Sequence, residues 1–364
     1  MENVIVRGAP NQYQCKEGVL DELEEKLVHS GIKRILIVTG ENSWEAASPY
    51  FPALTEVDAS IEFYNGECSP EEITRISKLA TNLEVDAIVA VGGGKVIDIV
   101  KASSDESRKK SVIIPTLASN CAPWTPLSVI YTEEGIMTHY DIYPTGIELL
   151  LIEPRIIIEA PLDLFIAGIG DTLAKWYEAD VQIGQLEERS VPVDIAYFAA
   201  QQCKEVLLTH SERAIEAVHE EIGNASFIKV VEAVIVLGGM VGGYGDAYGR
   251  IAGAHSIHNG MTVIEETHTK LHGDKVAYGI LVQLLLEDKL AEMKIVTEFY
   301  EKLGLPTSLA DLGIENITEE VAFQIAEKAT QAGESIHVMR QEGITASEVA
   351  KAILTLEKQH ILLT

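Results

Sequence analysis

The stretch Ala87-Ile88-Val89-Ala90-Val91-Gly92-Gly93-Gly94-Lys95 decides the fold of this 364-residue chain. A short apolar run that ends in glycine is typical of a strand buried on both faces of a parallel sheet. The three glycines let the backbone approach a phosphate group, and a helix predicted over 95–103 would offer its free N–H groups there. The motif is neither GxGxxG nor a Walker loop, so a nucleotide-binding turn and a plain glycine-rich turn both fit it.

Strands and helices alternate on both sides of this stretch. The apolar runs at 33–40, 60–64 and 112–115 predict further strands, and the period of the apolar residues at 70–83 predicts an amphipathic helix. This alternation predicts a parallel doubly wound sheet in an α/β domain that covers residues 1–157.

The pattern changes after Pro161, where apolar residues recur at helical spacing and strand-like runs become rare. An all-α second domain is therefore predicted for residues 158–364. Its predicted helices cover 162–185, 193–209, 212–219, 225–238, 275–287, 293–302, 319–330 and 346–359.

The composition excludes several classes of partner. The chain has 28 Lys+Arg against 56 Asp+Glu, and a net charge of −28 repels the phosphate backbone of nucleic acids. We identify no apolar run of the roughly 18 residues that a membrane span needs, and the N-terminus lacks the pattern of a secretory signal. The cysteines are widely spaced without a CxxC motif, which favours reduced thiols in a cytoplasmic protein. They are Cys15, Cys68, Cys121 and Cys203.

The histidines are scarce and clustered. The chain has 10, and four of them fall within 255–272, namely His255, His258, His268 and His272. Upstream, Asp171 lies in a glycine-rich stretch, 168–176, that is predicted to be a loop entering a helix. One carboxylate and two or three imidazoles suit a catalytic divalent metal with an open coordination position. The alternatives are that Asp171 caps the helix or pairs with Lys175 four residues later.

The segment 115–128 is polar, contains three prolines and follows a predicted strand. Ligands of open α/β sheets bind at the carboxyl ends of the strands. This loop is therefore a candidate wall of a cofactor and substrate site, and the alternative is a rigid surface loop.

Taken together, these motifs resemble the iron-containing alcohol dehydrogenase superfamily and, within it, the glycerol dehydrogenase branch. The resemblance covers nearly the whole chain. Its motifs are GGGKxxDxxK at 92–101, the Pro-Thr-x-Ala-Ser loop at 115–119, Leu-Ser-Val-Ile-Tyr at 127–131, GxGD at 168–171, HxIHNG at 255–260 and HGxKVAxG at 272–279. The resemblance implies a dehydroquinate-synthase-like architecture, a metal in the cleft between the two domains, and a homo-oligomer.

The resemblance also implies functional residues. The metal ligands would be Asp171, His255 and His272. The residues that bind the nicotinamide cofactor, NADP or NAD, would be Gly40, Gly93, Gly94, Lys95, Asp98, Thr116, Ser119, Thr125, Leu127 and Tyr131.

Three positions depart from the pattern of glycerol dehydrogenases. Cys121 stands where these enzymes carry an Asp that holds the polyol, and losing this carboxylate removes repulsion against an anionic substrate. Lys175 stands where iron-dependent members have a further His ligand, so three protein ligands are expected, as in zinc-type members. Lys175 would either pair with a substrate carboxylate or occupy the space of the metal. Gly40 stands where NAD-preferring members often have Asp, and the absence of that Asp carboxylate permits NADP(H).

The stretches 121–127 and 171–179 resemble a subgroup of hydroxycarboxylate dehydrogenases that reduce 2-oxo acids with NADPH. The resulting hypothesis is a metal-assisted, NAD(P)-dependent oxidoreductase that acts on a small-molecule substrate, with Zn²⁺ as the expected metal and Fe²⁺ as the alternative. His258 is a candidate proton relay, although structural packing explains it equally well. Three alternatives stay open: a glycerol or diol dehydrogenase that uses NAD, a dehydroquinate-synthase-like lyase, and a non-catalytic cofactor-binding protein.

Overall fold

The computed structural model describes the backbone of residues 4–363 and the side chains of residues 4–358. The chain folds into two compact units. The sheet unit comprises Arg7–Leu162 with Ala214–Gly243, and the helical unit comprises residues 163–213 and 244–363 with residues 4–6. The predicted boundary after residue 157 lies close to Leu162, but Ala214–Gly243, predicted in the second domain, belongs to the sheet unit.

The sheet unit contains a six-stranded parallel sheet. Its strands are β1 (Gln12–Cys15), β2 (Arg34–Thr39), β3 (Asp58–Phe63), β4 (Ala87–Gly92), β5 (Lys110–Pro115) and β8 (Leu149–Ile152). Their order across the sheet is β1-β8-β5-β4-β2-β3. An antiparallel hairpin, β6 (Leu127–Tyr131) and β7 (Met137–Ile142), forms a second small sheet. Every residue of β4 is buried, as its apolar sequence predicts. The predicted doubly wound sheet is confirmed.

Four helices lie between consecutive strands from β1 to β5 along the chain, and a fifth follows the last strand. They are α1 (Leu23–His29), α2 (Glu41–Ala47), α3 (Pro70–Asn82), α4 (Gly94–Ser107) and α5 (Pro154–Ile158). The start of α3 shows how the sequence sets a boundary: Pro70 takes the first helical position, and the Ser69 hydroxyl accepts a hydrogen bond from the Glu72 N–H.

The remainder of the chain is helical. Its helices are α6 (Leu162–Ile183), α7 (Val191–Glu220), α8 (Ala225–Glu232), α9 (Gly238–Gly245), α10 (Gly253–Met261), α11 (His272–Leu286), α12 (Leu290–Leu303), α13 (Glu319–Ala329) and α14 (Ala346–Leu363). The helical unit has no strand among its described residues. The predicted all-α region is therefore confirmed, except that 193–209 and 212–219 form one helix, α7, and that α10 is not among the predicted helices.

The glycines of 168–176 do not form a loop, so that prediction is wrong. The whole stretch lies inside α6, and Asp171 is in the middle of this helix rather than at its cap. A Cβ on Gly170 would lie 3.0 Å from the Gly273 carbonyl oxygen and 3.1 Å from the Ala277 Cβ. Position 170 therefore needs glycine because α6 and α11 pack closely. In a single sequence, a glycine that allows two helices to pack closely looks the same as a glycine in a turn.

We expect Gly273→Ala to be strongly destabilising. An added Cβ would lie 1.8 Å from the Ala167 carbonyl oxygen, so α6 and α11 would have to separate. Overpacking of this kind costs typically ~1–3 kcal/mol or more. Gly146→Ala is the matched control, since its Cβ would meet only the Ala9 oxygen, at 3.7 Å. Urea unfolding of both variants checks this, and equal stabilities would contradict the packing account.

One long apolar stretch was missed in the sequence. Residues Ala225–Gly249 are long and apolar enough to cross a membrane by length and composition, and 56% of the most apolar part is buried inside the structure. A π-helical turn at Ala233–Leu237 lies within it, and Glu232 accepts a hydrogen bond from the Tyr13 hydroxyl at 2.7 Å. A single helix with this burial is also what the core of a folded domain contains.

Candidate metal and nucleotide sites

Three helices of the helical unit bring Asp171, His255 and His272 together. Asp171 lies in α6, His255 in the first turn of α10, and His272 is the first residue of α11. The His255 Nε2 lies 3.4 Å from the Asp171 Oδ1, and the His272 Nε2 lies 3.2 Å from the same oxygen. One potential ligand atom from each residue falls within 4.8 Å of the others, which is the spacing of a metal site.

The Asp171 carboxylate is suited to a cation. It is buried, and its Oδ1 has no hydrogen-bond partner of acceptable geometry within the described residues, although two imidazoles face it. Burial opposes its ionisation, but His255, His272 and the charge of Lys175 outweigh burial and hold the pKa of Asp171 well below its ordinary value. An ionised, buried oxygen without a hydrogen bond is costly unless a positive charge completes its surroundings. The donor set of one carboxylate and two imidazoles therefore fits a divalent metal.

Glu178 holds His255 in place. This fully buried carboxylate accepts hydrogen bonds from the His255 Nδ1 at 2.7 Å and from the backbone N–H groups of Ala252 and His255 at 2.7 and 2.9 Å. The His255 Nε2 is thereby left to face Asp171. Burial opposes a charge on His255, but Glu178 and Asp171 raise its pKa to about 9. Glu178 is not among the residues predicted from the sequence, although its position two helical turns after Asp171 places it on the same face of α6.

The other two clustered histidines lie outside the set of three. The His258 Nε2 is 3.0 Å from the His272 Nδ1, and the His258 Nδ1 is 3.1 Å from the Asn259 Oδ1. Burial, followed by the neighbouring imidazoles, lowers the pKa of His258 well below its ordinary value. His268 is bonded instead to the Thr262 carbonyl oxygen at 2.9 Å.

Lys175 lies one helical turn after Asp171 in α6. Its ammonium group donates a hydrogen bond to the Arg250 carbonyl oxygen at 3.4 Å. Its charge also helps to lower the pKa of Asp171 and of Glu178. Lys175 therefore contributes positive potential beside the cluster.

The glycine-rich turn of the sheet unit lies at the carboxyl end of β4 and opens α4. A Cβ on Gly93 would lie 2.8 Å from the Leu117 side chain, and one on Gly94 would lie 3.2 Å from Asn120. Both glycines thus leave room for the following loop, and Gly93 has an ordinary backbone conformation rather than a left-handed one. The N–H groups of the first turn of α4 have the geometry of an anion site.

A buried lysine organises the predicted cofactor loop. The Lys101 ammonium donates hydrogen bonds to the carbonyl oxygens of Ala122, Thr125 and Leu127, and it pairs with the Asp98 carboxylate at 2.8 Å. Asp98 also accepts a hydrogen bond from the Val129 N–H at 3.0 Å. In the described structure, Asp98 therefore fixes the loop and β6. Lys101 is not among the site residues predicted from the sequence, although it is the last residue of the 92–101 motif.

The other predicted cofactor residues lie around the same loop or at the end of β2. The Thr116 N–H bonds to the Gly92 carbonyl oxygen at 3.1 Å, which ties the loop to the glycine turn. Lys95 forms an ion pair with Glu67. Thr125 is buried, whereas the side chains of Ser119, Leu127 and Tyr131 are partly exposed.

Two of the departures from the glycerol dehydrogenase pattern also lie in the sheet unit. Gly40 precedes α2, and a Cβ there would lie 2.9 Å from the Tyr64 ring. The Cys121 carbonyl oxygen accepts a hydrogen bond from the Trp124 N–H at 3.0 Å, and the Cys121 side chain is partly exposed. The structure thus places Cys121 in a tight turn of the loop that Lys101 holds.

Comparison with known proteins agrees with this geometry. Residues 10–149 match the model of the iron-containing alcohol dehydrogenase family. The chain is 36% identical to the glycerol dehydrogenase of Thermotoga maritima, over 96% of both chains, and 36% identical to hydroxycarboxylate dehydrogenase A of Escherichia coli K12, over 91% of both. Among solved structures it is similar to glycerol dehydrogenase from Schizosaccharomyces pombe, with a TM-score of 0.86 and 30% identity over 98% of this chain and 91% of the other.

The chain belongs to the iron-containing alcohol dehydrogenase family and, within it, to the glycerol dehydrogenase branch. It is therefore an enzyme, a dehydrogenase or reductase that acts on alcohol groups. Membership of this family implies a nicotinamide cofactor and a divalent metal ion.

Proposed function

We propose that this enzyme reduces a small 2-oxo acid to the 2-hydroxy acid with NADPH, and that Asp171, His255 and His272 hold a Zn²⁺ ion. The observation that carries the metal part is the buried Asp171 Oδ1, which lacks a hydrogen bond and faces the Nε2 atoms of both histidines. Three protein ligands leave an open position, as catalytic zinc sites do. The His272 side chain is 53% exposed, so the part of the site that it forms faces solvent.

When bound, the metal supplies a Lewis acid for the substrate carbonyl, and the reduced nicotinamide supplies the hydride. The residues of the chain bind and orient. Glu178 keeps the His255 Nε2 directed at the ligand position. Both ring nitrogens of His258 are already engaged, by His272 and Asn259, so a proton relay through His258 would have to pass along the His272 ring.

Charge supports an anionic substrate. The substrate loop carries Cys121 rather than a carboxylate, so it does not repel an acid. Lys175 adds positive charge one helical turn from Asp171. A 2-oxo acid offers a carbonyl for reduction and a carboxylate for this lysine, which matches the predicted role of Lys175 in substrate binding.

The coenzyme preference follows from position 40. Gly40 has no side chain that could bond the ribose 2′-hydroxyl or repel a 2′-phosphate, so NADPH is accepted. We further propose that the active form is a homo-oligomer, which light scattering on the purified protein would test.

Steady-state assays test this function. NADPH oxidation with 2-oxobutanoate or 2-oxoglutarate is expected to exceed NADH oxidation at least tenfold, to stop after metal removal and to return with added zinc. A faster rate with NADH, or one that chelators leave unchanged, would contradict the proposal.

The second candidate is a glycerol or diol dehydrogenase that uses NAD. The 36% identity to the Thermotoga maritima glycerol dehydrogenase over 96% of both chains favours it. Glycerol oxidation with NAD that exceeds the 2-oxo acid rate, measured on the same preparation, would select this reading.

A further inference from the structure

A chain of hydrogen bonds leads from a carboxylate to the second candidate histidine ligand. The Asn259 Nδ2 donates to the Glu334 carboxylate at 3.1 and 3.4 Å. The Asn259 Oδ1 lies 3.1 Å from the His258 Nδ1, and the His258 Nε2 lies 3.0 Å from the His272 Nδ1. Four side chains are therefore linked in series, and the last is His272.

The direction of every hydrogen bond in this chain follows from its first member. An ionised carboxylate only accepts hydrogen bonds, so the Asn259 NH₂ group must face Glu334 and its carbonyl oxygen must face His258. The His258 Nδ1 then carries the proton, and in a neutral imidazole the Nε2 becomes an acceptor. The His272 Nδ1 must therefore donate, which leaves the lone pair of its Nε2 directed towards Asp171.

If the direction of these hydrogen bonds were reversed, the His272 Nε2 would carry a proton instead of a lone pair. If the Asn259 amide were turned round, the His258 Nδ1 would accept and its Nε2 would donate to the His272 Nδ1. The proton of a neutral His272 would then sit on Nε2, which could not bind a metal without first losing it.

We propose that Glu334 and Asn259 are positioning residues that act through His258 and hold His272 in the tautomer whose Nε2 binds a divalent metal ion. This inference rests on the metal site of the proposed function. Glu178 does the same for His255 directly, so each candidate histidine ligand is oriented by its own carboxylate.

The segment that carries Glu334 is fixed against α10. The Ser335 hydroxyl donates to the Ala252 carbonyl oxygen at 2.7 Å, and the Ile336 N–H donates to the Ser256 hydroxyl at 2.9 Å. His258 is partly buried, and its two ring nitrogens face the Asn259 Oδ1 and the His272 Nδ1. The backbone next to Glu334 is therefore tied to α10, the helix that carries Asn259 and His258.

Zinc affinity of the metal-free protein, measured by competition with a chromophoric chelator, tests this inference. In Glu334→Lys an ammonium donor would face Asn259 and turn its amide round, so we expect zinc to bind 10–100-fold more weakly, the range for lost outer contacts of a ligand. Glu334→Gln keeps an acceptor and is expected to stay within about threefold of the wild type. Glu327→Lys, at an exposed position of α13, makes the same charge change away from this series of hydrogen bonds and is the matched control.

A second pair of variants covers the case in which Glu334→Lys does not fold. Asn259→Leu removes the acceptor for the His258 Nδ1, whereas Asn259→Asp retains it, so we expect zinc to bind at least tenfold more weakly to the leucine variant. The visible spectrum of the cobalt-substituted protein should change in the leucine variant alone, which a general loss of stability would not produce.

Two outcomes overturn the inference: a folded Glu334→Lys variant within tenfold of Glu327→Lys, or, failing that variant, Asn259→Leu within tenfold of Asn259→Asp. Asp171→Asn separates this failure from failure of the metal site. If Asp171→Asn binds zinc as the wild type does, the site itself is wrong. If it loses zinc while the Glu334 and Asn259 variants do not, only the positioning role is wrong.

Discussion

Asp171→Asn is expected to lower the rate of carbonyl reduction at least about a thousandfold. Lewis-acid stabilisation contributes several kcal/mol, and each 1.36 kcal/mol corresponds to a factor of ten in rate, so its loss gives ~10³ or more. The asparagine amide has nearly the same shape but no charge, and both histidines then lack the anionic partner that their Nε2 atoms face. Steady-state kinetics with NADPH and a 2-oxo acid, together with zinc content, measure the effect.

The nucleotide affinity provides the internal control for this variant. The glycine-rich turn lies in the sheet unit and Asp171 in the helical unit, so NADPH binding measured by fluorescence should change less than about threefold. Asp194→Asn is the matched control: it makes the same chemical change at an exposed carboxylate of α7 and should keep the wild-type rate. An Asp171→Asn variant with more than a tenth of the wild-type rate and an unchanged zinc content would refute the ligand role.

Lys101→Met is expected to have the largest effect on stability. The variant would leave the buried Asp98 carboxylate without its positively charged partner, although the hydrogen bond from the Val129 N–H would remain. It would also remove the ammonium group that donates hydrogen bonds to three carbonyl oxygens of the loop. Breaking a buried ion pair by removing one partner costs about 3–5 kcal/mol. Chemical denaturation should show this loss, and the affinity for NADPH should fall with it because the loop next to the glycine turn is released.

Two further variants separate the buried charge from a general effect of losing a lysine. Lys110→Met removes a half-exposed ion pair with Glu148 and should cost less than about 1 kcal/mol. Adding Asp98→Asn to Lys101→Met removes the isolated charge, so the double variant should be less destabilised than the sum of the two single variants by ~0.5–3 kcal/mol. A Lys101→Met variant as stable as Lys110→Met would contradict the proposed role of the ion pair.

The regular parts of the fold were accessible from the sequence because burial leaves a pattern there. The run at 87–91 predicted β4, and β2 and β5 were found in the same way. Strands β1, β6, β7 and β8 were missed. β8 consists of four apolar residues, too few to show a period, and β6 alternates buried and half-buried positions over only five.

The cluster of Asp171, His255 and His272 was predicted from motif resemblance and residue type. The side chains that surround this cluster could not be predicted in that way. The prediction of a loop around Asp171 failed because Gly170 and Gly273 serve helix packing, which depends on residues about 100 positions apart. Glu334 lies 75 residues from Asn259, and Asn259 is itself next to His258 in the sequence. Only the three-dimensional structure places this carboxylate at the start of the series of hydrogen bonds that ends at His272.

Diffraction data collected on both sides of the zinc absorption edge, from zinc-supplemented crystals, test the central claim most directly. The account predicts an anomalous peak about 2.0–2.2 Å from one carboxylate oxygen of Asp171 and from the Nε2 atoms of His255 and His272. No peak among these three residues, or the Lys175 ammonium in its place, would contradict it.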